Sequence, residues 1–281
     1  VDLLTTVKAL TGARRARRGR RIQSLWRGYG EVVLVHLEGG PAPTVVAKHV
    51  RPPAGAHPRK LRSYAVETHW YRSVAPELAG LPRCPAFHGA STDGDERIIV
   101  LEDLLGAGFS APLPRGPGPG RTAALGWLAQ LHASALGAPT TGLWPVGTYW
   151  HLETRQAELA ATPDPRWRAE APALDAALRG ARFQTLVHGD AKPANFLWSP
   201  ARGACAAVDF QYLGGGPGIR DVVYLLDVDD PEDPALEAYF RALRGALGPA
   251  VDAAALEAEW RALVPVAARD FQRFLAGWGR A

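Results

Sequence analysis

LVHGDAKPANFLW, residues 186–198, followed by AAVDFQ at 206–211, is the stretch that decides the reading of this chain. Asp190 and Asn195 stand five residues apart in a loop that opens after an apolar run, and Asp209 ends the next apolar strand 14 residues beyond Asn195. Asn195 is the only asparagine among 281 residues, and Lys192 is one of four lysines against 28 arginines. In so skewed a composition, scarce residues gathered in one loop stand out. Phosphoryl transfer from ATP asks a protein for placed charge more than for covalent chemistry: oxygen ligands for a metal, cations for phosphate and a carboxylate beside the attacking hydroxyl. Magnesium takes carboxylate and amide oxygens, which suits Asp209 and Asn195. Asp190 suits the role of base toward a hydroxyl, and Lys192, two residues on, can reach the transferring phosphate. The plainer alternative is a turn in which Asp190 and Asn195 cap local backbone groups. The following strand, ending in Asp-Phe, favours the chemical reading.

Upstream, Val45-Val46-Ala47-Lys48 reads as part of a strand over 44–50, and a lysine projecting from a small sheet can neutralise the α- and β-phosphates. Such a lysine needs a carboxylate to hold it, and Glu67, on a helix expected over 60–75, is the natural partner. The alternatives are an exposed strand lysine and a solvated helix glutamate. A short helix over 2–10 ends near Gly12, and strands at 22–26 and 31–37 flank Gly28-Tyr29-Gly30. That glycine pair either covers phosphates with its backbone or is only a hairpin. A strand at 97–101 runs into Glu102-Asp103-Leu104 and then the Gly/Pro-rich stretch 106–120, a hinge followed by a loop. Beyond it, helices are expected at 121–137, 151–161, 167–179, 219–227, 234–246 and 252–279, with a strand pair at 184–187 and 206–209. The plan is α+β: an N-lobe over 1–104 with an antiparallel sheet and one main helix, and a mostly helical C-lobe over 105–281.

With these motifs in hand, the chain resembles the phosphotransferase family that includes aminoglycoside phosphotransferases, choline kinases and ecdysteroid-kinase-like proteins. VHGDAKPAN and VDFQ match its catalytic and metal-binding motifs, while LRSYAVETHWY around Glu67 and the glutamine after Asp-Phe look closest to the ecdysteroid-kinase-like branch. The similarity spans the chain from near Ile22 to near Phe274. It implies a protein-kinase-like fold, ATP with Mg2+ as cofactors and a small hydroxylated substrate. By that resemblance Asp190 is the base, Asn195 and Asp209 are metal ligands, Lys48 binds phosphate with Glu67 as its partner, and the backbone of Glu102, Asp103 and Leu104 meets adenine. Two departures stand out. Gly28-Tyr29-Gly30 is shorter than the glycine loop of protein kinases, and Gln211 stands where many aminoglycoside enzymes carry an acid.

Other features read as structural. His188 is a tempting second base, but a buried ring that fixes the loop is the better reading. Asp221 either caps its helix or hydrogen-bonds the catalytic loop, and Gly214–Gly218 reads as a tight turn. A protein serine/threonine kinase is disfavoured because only 11 residues separate Asp209 from Asp221, too few for an activation segment. An inactive nucleotide-binding pseudokinase is disfavoured by Lys48, Asp190, Asn195 and Asp209 occurring together. For the acceptor, Asp227, Asp229, Asp230 and Asp270, with Tyr149 and Trp150, can hold a cationic amine such as an amino alcohol or aminoglycoside. The plainer reading gives these acids to helix caps and these rings to the core. A hydroxylated terpenoid, such as an ecdysteroid-like alcohol, is the other acceptor expected.

The net charge is +4, much of it from arginines between Arg14 and Arg21. That cluster is short and lacks interleaved aromatics, so a solvated helix end and turn is expected there, with no nucleic acid or membrane as partner. Two cysteines without metal or disulfide spacing, and no secretory leader pattern at the N-terminus, point to a cytoplasmic location. The oligomeric state is not legible.

Overall fold

In the computed structural model, which describes residues 2–109, 111–114 and 116–280, the chain opens with helix α1, Leu3–Thr11. The Asp2 carboxylate accepts from the Thr5 N–H, and Gly12 closes the helix at a φ of 68°, a value glycine adopts without strain. Five antiparallel strands follow: β1 (Arg15–Ser24), β2 (Gly30–Glu38), β3 (Thr44–Val50), β4 (Phe87–Asp93) and β5 (Glu96–Glu102), in the order β1-β2-β3-β5-β4. Strand alternation divides the sheet into two faces. Val33, Val35, Val45, Ala47, Ile98 and Val100 form a core with Leu3 and Val7 of α1. Val32, Val46, Lys48 and Leu101 face the other way, with Lys48 in register between Val32 and Ile99.

The arginine cluster corrects one expectation. From Arg15 onward it lies inside β1, not in a turn before it, and β1 is the sheet's edge strand. Charged edge strands resist pairing with other chains. The arginines hide the period-2 signal, and pairing with β2 supplies what the local sequence lacks; Arg18 donates to both carboxylate oxygens of Glu31, at 2.9 and 2.6 Å. Strand β4 was not expected either. FHGASTD carries little apolar alternation and is held by its neighbour β5.

Helix α2, Pro58–His69, joins β3 to β4 and continues as a π-turn through Trp70–Val74. Proline at its first turn and His57 at its N-cap start it slightly earlier than the apolar pattern suggests. Lys60, Tyr64 and Glu67 recur at i, i+4 and i+7, so they form one stripe beneath the sheet.

After Glu102 the chain is largely helical: α3 (Pro119–Ser134), α4 (Gln156–Ala160), α5 (Pro165–Arg179), α6 (Ile219–Leu226), α7 (Leu236–Ala246), α8 (Ala253–Ala262) and α9 (Val264–Gly277). The expected single helix over 252–279 is two, broken at Leu263 with Pro265 at the start of α9. Trp127, Leu128 and Leu131 of α3 pack with Phe240, Leu243 and Trp260 in the second core. Short strands β6 (Ala111–Pro112), β7 (Thr185–Val187), β8 (Phe196–Ser199), β9 (Ala204–Ala207) and β10 (Gly214–Gly216) complete this half. The expected pairing of 184–187 with 206–209 does not occur: β7 pairs with β10, and β9 with β8. Gly214–Gly216 is therefore strand, not tight turn. A Cβ on Gly214 would collide with the Trp144 carbonyl, so close backbone packing explains that glycine. The loop expected over 106–120 contains β6 and the start of α3; Ser110 and Arg115 within it lie outside the described residues. Among the described residues no helix is long and apolar enough to cross a membrane. The architecture is α+β and protein-kinase-like, a strand-rich N-terminal part facing a helical C-terminal part.

Candidate active site

A cleft of about 1190 Å³ separates the inner face of the sheet from the helical half. Half-buried aliphatics, Val32 and Val46 above and Leu197 and Val208 below, line one end, with Leu101 and the chain from Glu102 to Leu105 as its back wall. That end is a flat apolar slot. The Glu102 carboxylate is turned away from it, accepting from the Ala86 N–H at 3.0 Å and pairing with Arg83. Asp103 is likewise engaged, by the Thr44 hydroxyl at 2.8 Å and the Leu105 N–H at 3.1 Å. Their backbone, rather than their side chains, is what can meet a ligand.

The charged centre lies between the slot and the other end of the cleft. Lys48 Nζ is 2.6 Å from Glu67 Oε2 and 3.0 Å from Asp209 Oδ1. Burial alone would lower the Lys48 ammonium, but Asp209 and Glu67 outweigh it and hold the group above the usual lysine range. Burial would raise the Asp209 carboxyl, and Lys48 more than offsets it, so Asp209 stays ionised. Its Oδ1 also accepts from Gln211 Nε2 at 2.6 Å, and Gln211 Oε1 in turn accepts from the Ser63 hydroxyl. Asp209 lines the cleft, and its Oδ2 has no hydrogen-bond partner among the described residues. Asp209 has a φ of 68°, a strained value for aspartate. Phe210 beside it is wholly buried against Trp70, Trp127 and His188, which pins the bend.

Asn195 Nδ2 donates to the Asp190 carbonyl at 2.8 Å and to Asp190 Oδ2 at 3.1 Å, leaving Asn195 Oδ1 as an acceptor. Lys192 Nζ is 2.8 Å from the same Asp190 oxygen, and the Tyr224 hydroxyl donates to Asp190 Oδ1 at 3.4 Å. Burial raises the Asp190 carboxyl above the ordinary aspartate range, against the pull of Lys192. Two oxygens without a hydrogen-bond partner among the described residues, Asn195 Oδ1 and Asp209 Oδ2, suit a hard divalent cation that takes its remaining ligands from phosphate and water. The described residues contain no group of three or more His, Cys, Asp or Glu that could hold a metal ion.

The loop is held from behind. The wholly buried Asp221 carboxylate accepts from the His188 N–H at 2.6 Å, the Gly189 N–H at 3.0 Å and His132 Nε2 at 3.2 Å. Of its two expected roles, the structure shows the loop contact. His188 is wholly buried too; its Nε2 donates to the Val208 carbonyl at 3.0 Å, and its Nδ1 accepts from the Asp190 N–H. It ties the loop to the strand preceding Asp209 and is not placed as a base. Gly189, at a φ of 78°, has the Tyr212 carbonyl and the Thr148 N–H where a Cβ would go.

Several expected site residues are placed elsewhere. Asp227, Asp229 and Asp230 are exposed and outside the cleft lining; Asp227 ends α6 and Asp230 accepts from the Glu232 N–H. Asp270 is 2 % exposed and bound to Arg220 at 2.9 Å, to Arg273 at 2.8 Å and to Trp150 Nε1 at 3.1 Å. A carboxylate already holding two buried guanidinium groups has nothing left for a ligand amine. Trp150 is buried with it, and of that group only Tyr149 lines the cleft. Gly28 and Gly30 do not line it either. Gly30 abuts the His49 carbonyl across β2 and β3, and the turn presents Trp26 and Arg27 instead. The sequence reading missed Tyr224, Lys60, Arg59 and Arg155. The i, i+4, i+7 stripe ending at Glu67 was an available signal for Lys60; the arginines carried none in so arginine-rich a chain.

A sheet and a helical half facing across a cleft with a buried lysine–glutamate pair and an Asp/Asn/Asp centre define a phosphotransferase of the kinase-like class. The chain belongs to the phosphotransferase enzyme family, whose model matches residues 21–263. Among solved structures it is similar to an aminoglycoside-3'-phosphotransferase of type VIII, with 20% identity, a TM-score of 0.53 and coverage of 93% of this chain and 98% of that one. It is also similar to a protein assigned as a fructosamine-3-kinase from Thermobifida fusca YX-ER1, with 18% identity, a TM-score of 0.54 and coverage of 96% and 99%. At these identities the likeness establishes the fold. No curated protein sequence matches the chain.

Proposed function

We propose that this phosphotransferase moves the γ-phosphoryl group of ATP, with Mg2+, to a hydroxyl of a small molecule. The single observation that carries the reading is the convergence of Lys48, Glu67, Asp190, Asn195 and Asp209, drawn from four separate stretches of the sequence, on one cleft. In this reading the apolar slot takes adenine against the backbone of Glu102–Leu104, and Lys48, held by Glu67, takes the α- and β-phosphates. Asn195 Oδ1 and Asp209 Oδ2 would hold the metal, whose charge offsets that of the triphosphate when bound. Asp190 orients the acceptor hydroxyl and accepts its proton as the new oxygen–phosphorus bond forms and the bond to the β-phosphate oxygen breaks, releasing ADP. Lys192 balances charge beside it. The lobe division at residues 104 and 105 belongs to this reading, with Glu102–Leu105 as the hinge.

The test is acceptor-dependent ADP formation over a panel of small alcohols. Activity should disappear with a chelator, return with Mg2+, and fall in Asp190→Asn. Nucleotide binding with no turnover on any alcohol would favour a pseudokinase, and turnover only on peptides a protein kinase. A pH–rate profile gives a second check. Asp190 must be ionised to accept a proton, so the rate falls as pH drops through its pKa. Lys192 stabilises the ionised form; Lys192→Ala should therefore move the acid limb to higher pH. An unmoved limb would mean that another group sets it.

A further inference from the structure

The end of the cleft beyond Asp190 is built from aromatic rings and cations. Tyr149 and Trp278 line it, with Tyr212 5.9 Å from Tyr149 between ring centres. Tyr149 also lies 6.0 Å from Tyr224, whose hydroxyl reaches Asp190, so this chamber is continuous with the reacting centre. Four cations face it: Arg59 and Lys60 from the first turn of α2, Arg155 from the loop before α4, and Lys192. Among the described residues only two acids join them beyond Asp190, and both are committed. Glu158 lies 2.7 Å from Arg155 and 3.8 Å from Arg59, while Glu153 pairs with Arg179 at 3.0 Å.

The cations are not fully used. Arg155 gives Nε to the Tyr149 carbonyl and Nη1 to Glu158, and its guanidinium lies over Tyr149 and Trp278. Arg59 gives Nη1 to the Thr154 carbonyl, and its Nε is buried without a partner among the described residues. Lys60 makes no ion pair with any described residue; its ammonium rests 5.3 Å from the Tyr212 ring centre and 5.7 Å from that of Trp26. Burial lowers the Lys60 ammonium to about 8, with Lys48, Arg59 and Arg155 adding to it against Asp209. Gathering like charges in a half-buried chamber costs free energy, and an anion there recovers it. A polycation would meet repulsion, with no unengaged carboxylate among the described residues of the chamber to receive it.

Resting on the phosphotransferase reading of the same cleft, we infer that the acceptor is a hydroxylated anion, an alcohol bearing a carboxylate or phosphoryl group, held by Arg59, Lys60 and Arg155 with its hydroxyl at Asp190. This reverses the amine preference expected from Asp227, Asp229, Asp230 and Asp270, none of which reaches the chamber.

The experiment titrates protein saturated with a non-hydrolysable ATP analogue, by calorimetry, with glycerol, glycerate, glycerol 3-phosphate, serinol and kanamycin. At least one of the two anions should bind about 10-fold or more tightly than glycerol, and serinol and kanamycin no more tightly than glycerol. Glycerate against glycerol 3-phosphate tells carboxylate from phosphoryl recognition. Lys60→Glu should remove the preference for the anion; Lys60→Gln, a milder change, should reduce it if the first variant does not fold. The inference is overturned if no anion binds more tightly than glycerol, if serinol or kanamycin matches the best anion, or if a folded Lys60 variant keeps the wild-type order. Binding of the analogue separates the two readings. If the analogue binds and the anion preference is absent, only this inference fails; if the analogue does not bind, the phosphotransferase reading fails first.

Discussion

Asp190→Asn should lower kcat about 10²- to 10⁴-fold while leaving nucleotide affinity close to that of the wild type. The substitution keeps the shape and removes both the charge and the proton acceptor. It also sets up a conflict among donors. Asp190 Oδ2 accepts from Lys192 Nζ and Asn195 Nδ2, and Oδ1 accepts from Tyr224. An asparagine amide must turn its NH2 toward one of these sets. If it keeps its oxygen toward Lys192 and Asn195, the NH2 points at the place of the acceptor hydroxyl and cannot take its proton. The groups assigned to the nucleotide, Lys48, Glu67 and Asp209, form their own network and are not disturbed. Steady-state kcat with a turnover acceptor, and the Kd of an ATP analogue, check the two halves separately. A kcat within about threefold of wild type would exclude Asp190 as the base.

The second large effect is on stability. Asp221→Ala should destabilise the fold by about 3–5 kcal/mol, because it strips one acceptor from three buried donors at once. The His188 and Gly189 N–H groups and the His132 ring are buried behind the loop. Asp221→Asn should cost less, since its carbonyl oxygen can still accept from part of that set. Denaturant unfolding measures both. A loss under about 1 kcal/mol for the alanine variant would show that the loop relaxes and finds other partners. The same change should depress turnover more than nucleotide affinity, because Asp190 is carried on the loop that Asp221 holds.

Asp190, Asn195 and Asp209 were legible as the proposed centre because the chemistry proposed for them demands fixed residue types at short, fixed separations, which survive any composition. Lys48 and Glu67 were legible more weakly: each sits on an element with a clear period, strand β3 and helix α2, but nothing local says that they touch. The fold class followed from the change of period along the chain, from alternating strands to helical repeats, which local backbone geometry dictates. Strand β4 and the arginine-laden β1 escaped because a strand held by its neighbours need not carry the alternation that would reveal it. The strand at 184–187 was legible as β7, but its partner β10 was not, because the two lie far apart in sequence.

The acceptor end shows where a linear reading stops. Asp270 and Asp230 look alike in sequence, yet one is locked between Arg220 and Arg273 in the core and the other caps a surface turn. Arg59, Lys60 and Arg155 are three cations among many, and only the docking of α2 over the loop before α4 sets them around one chamber. Residue type and short-range spacing therefore pointed to the proposed reaction centre and to the succession of elements, since both depend on neighbours within a few residues. The charge of the chamber beyond Asp190 was decided by the tertiary structure alone, since it depends on which of many equivalent charges are brought together and which are neutralised by a distant partner.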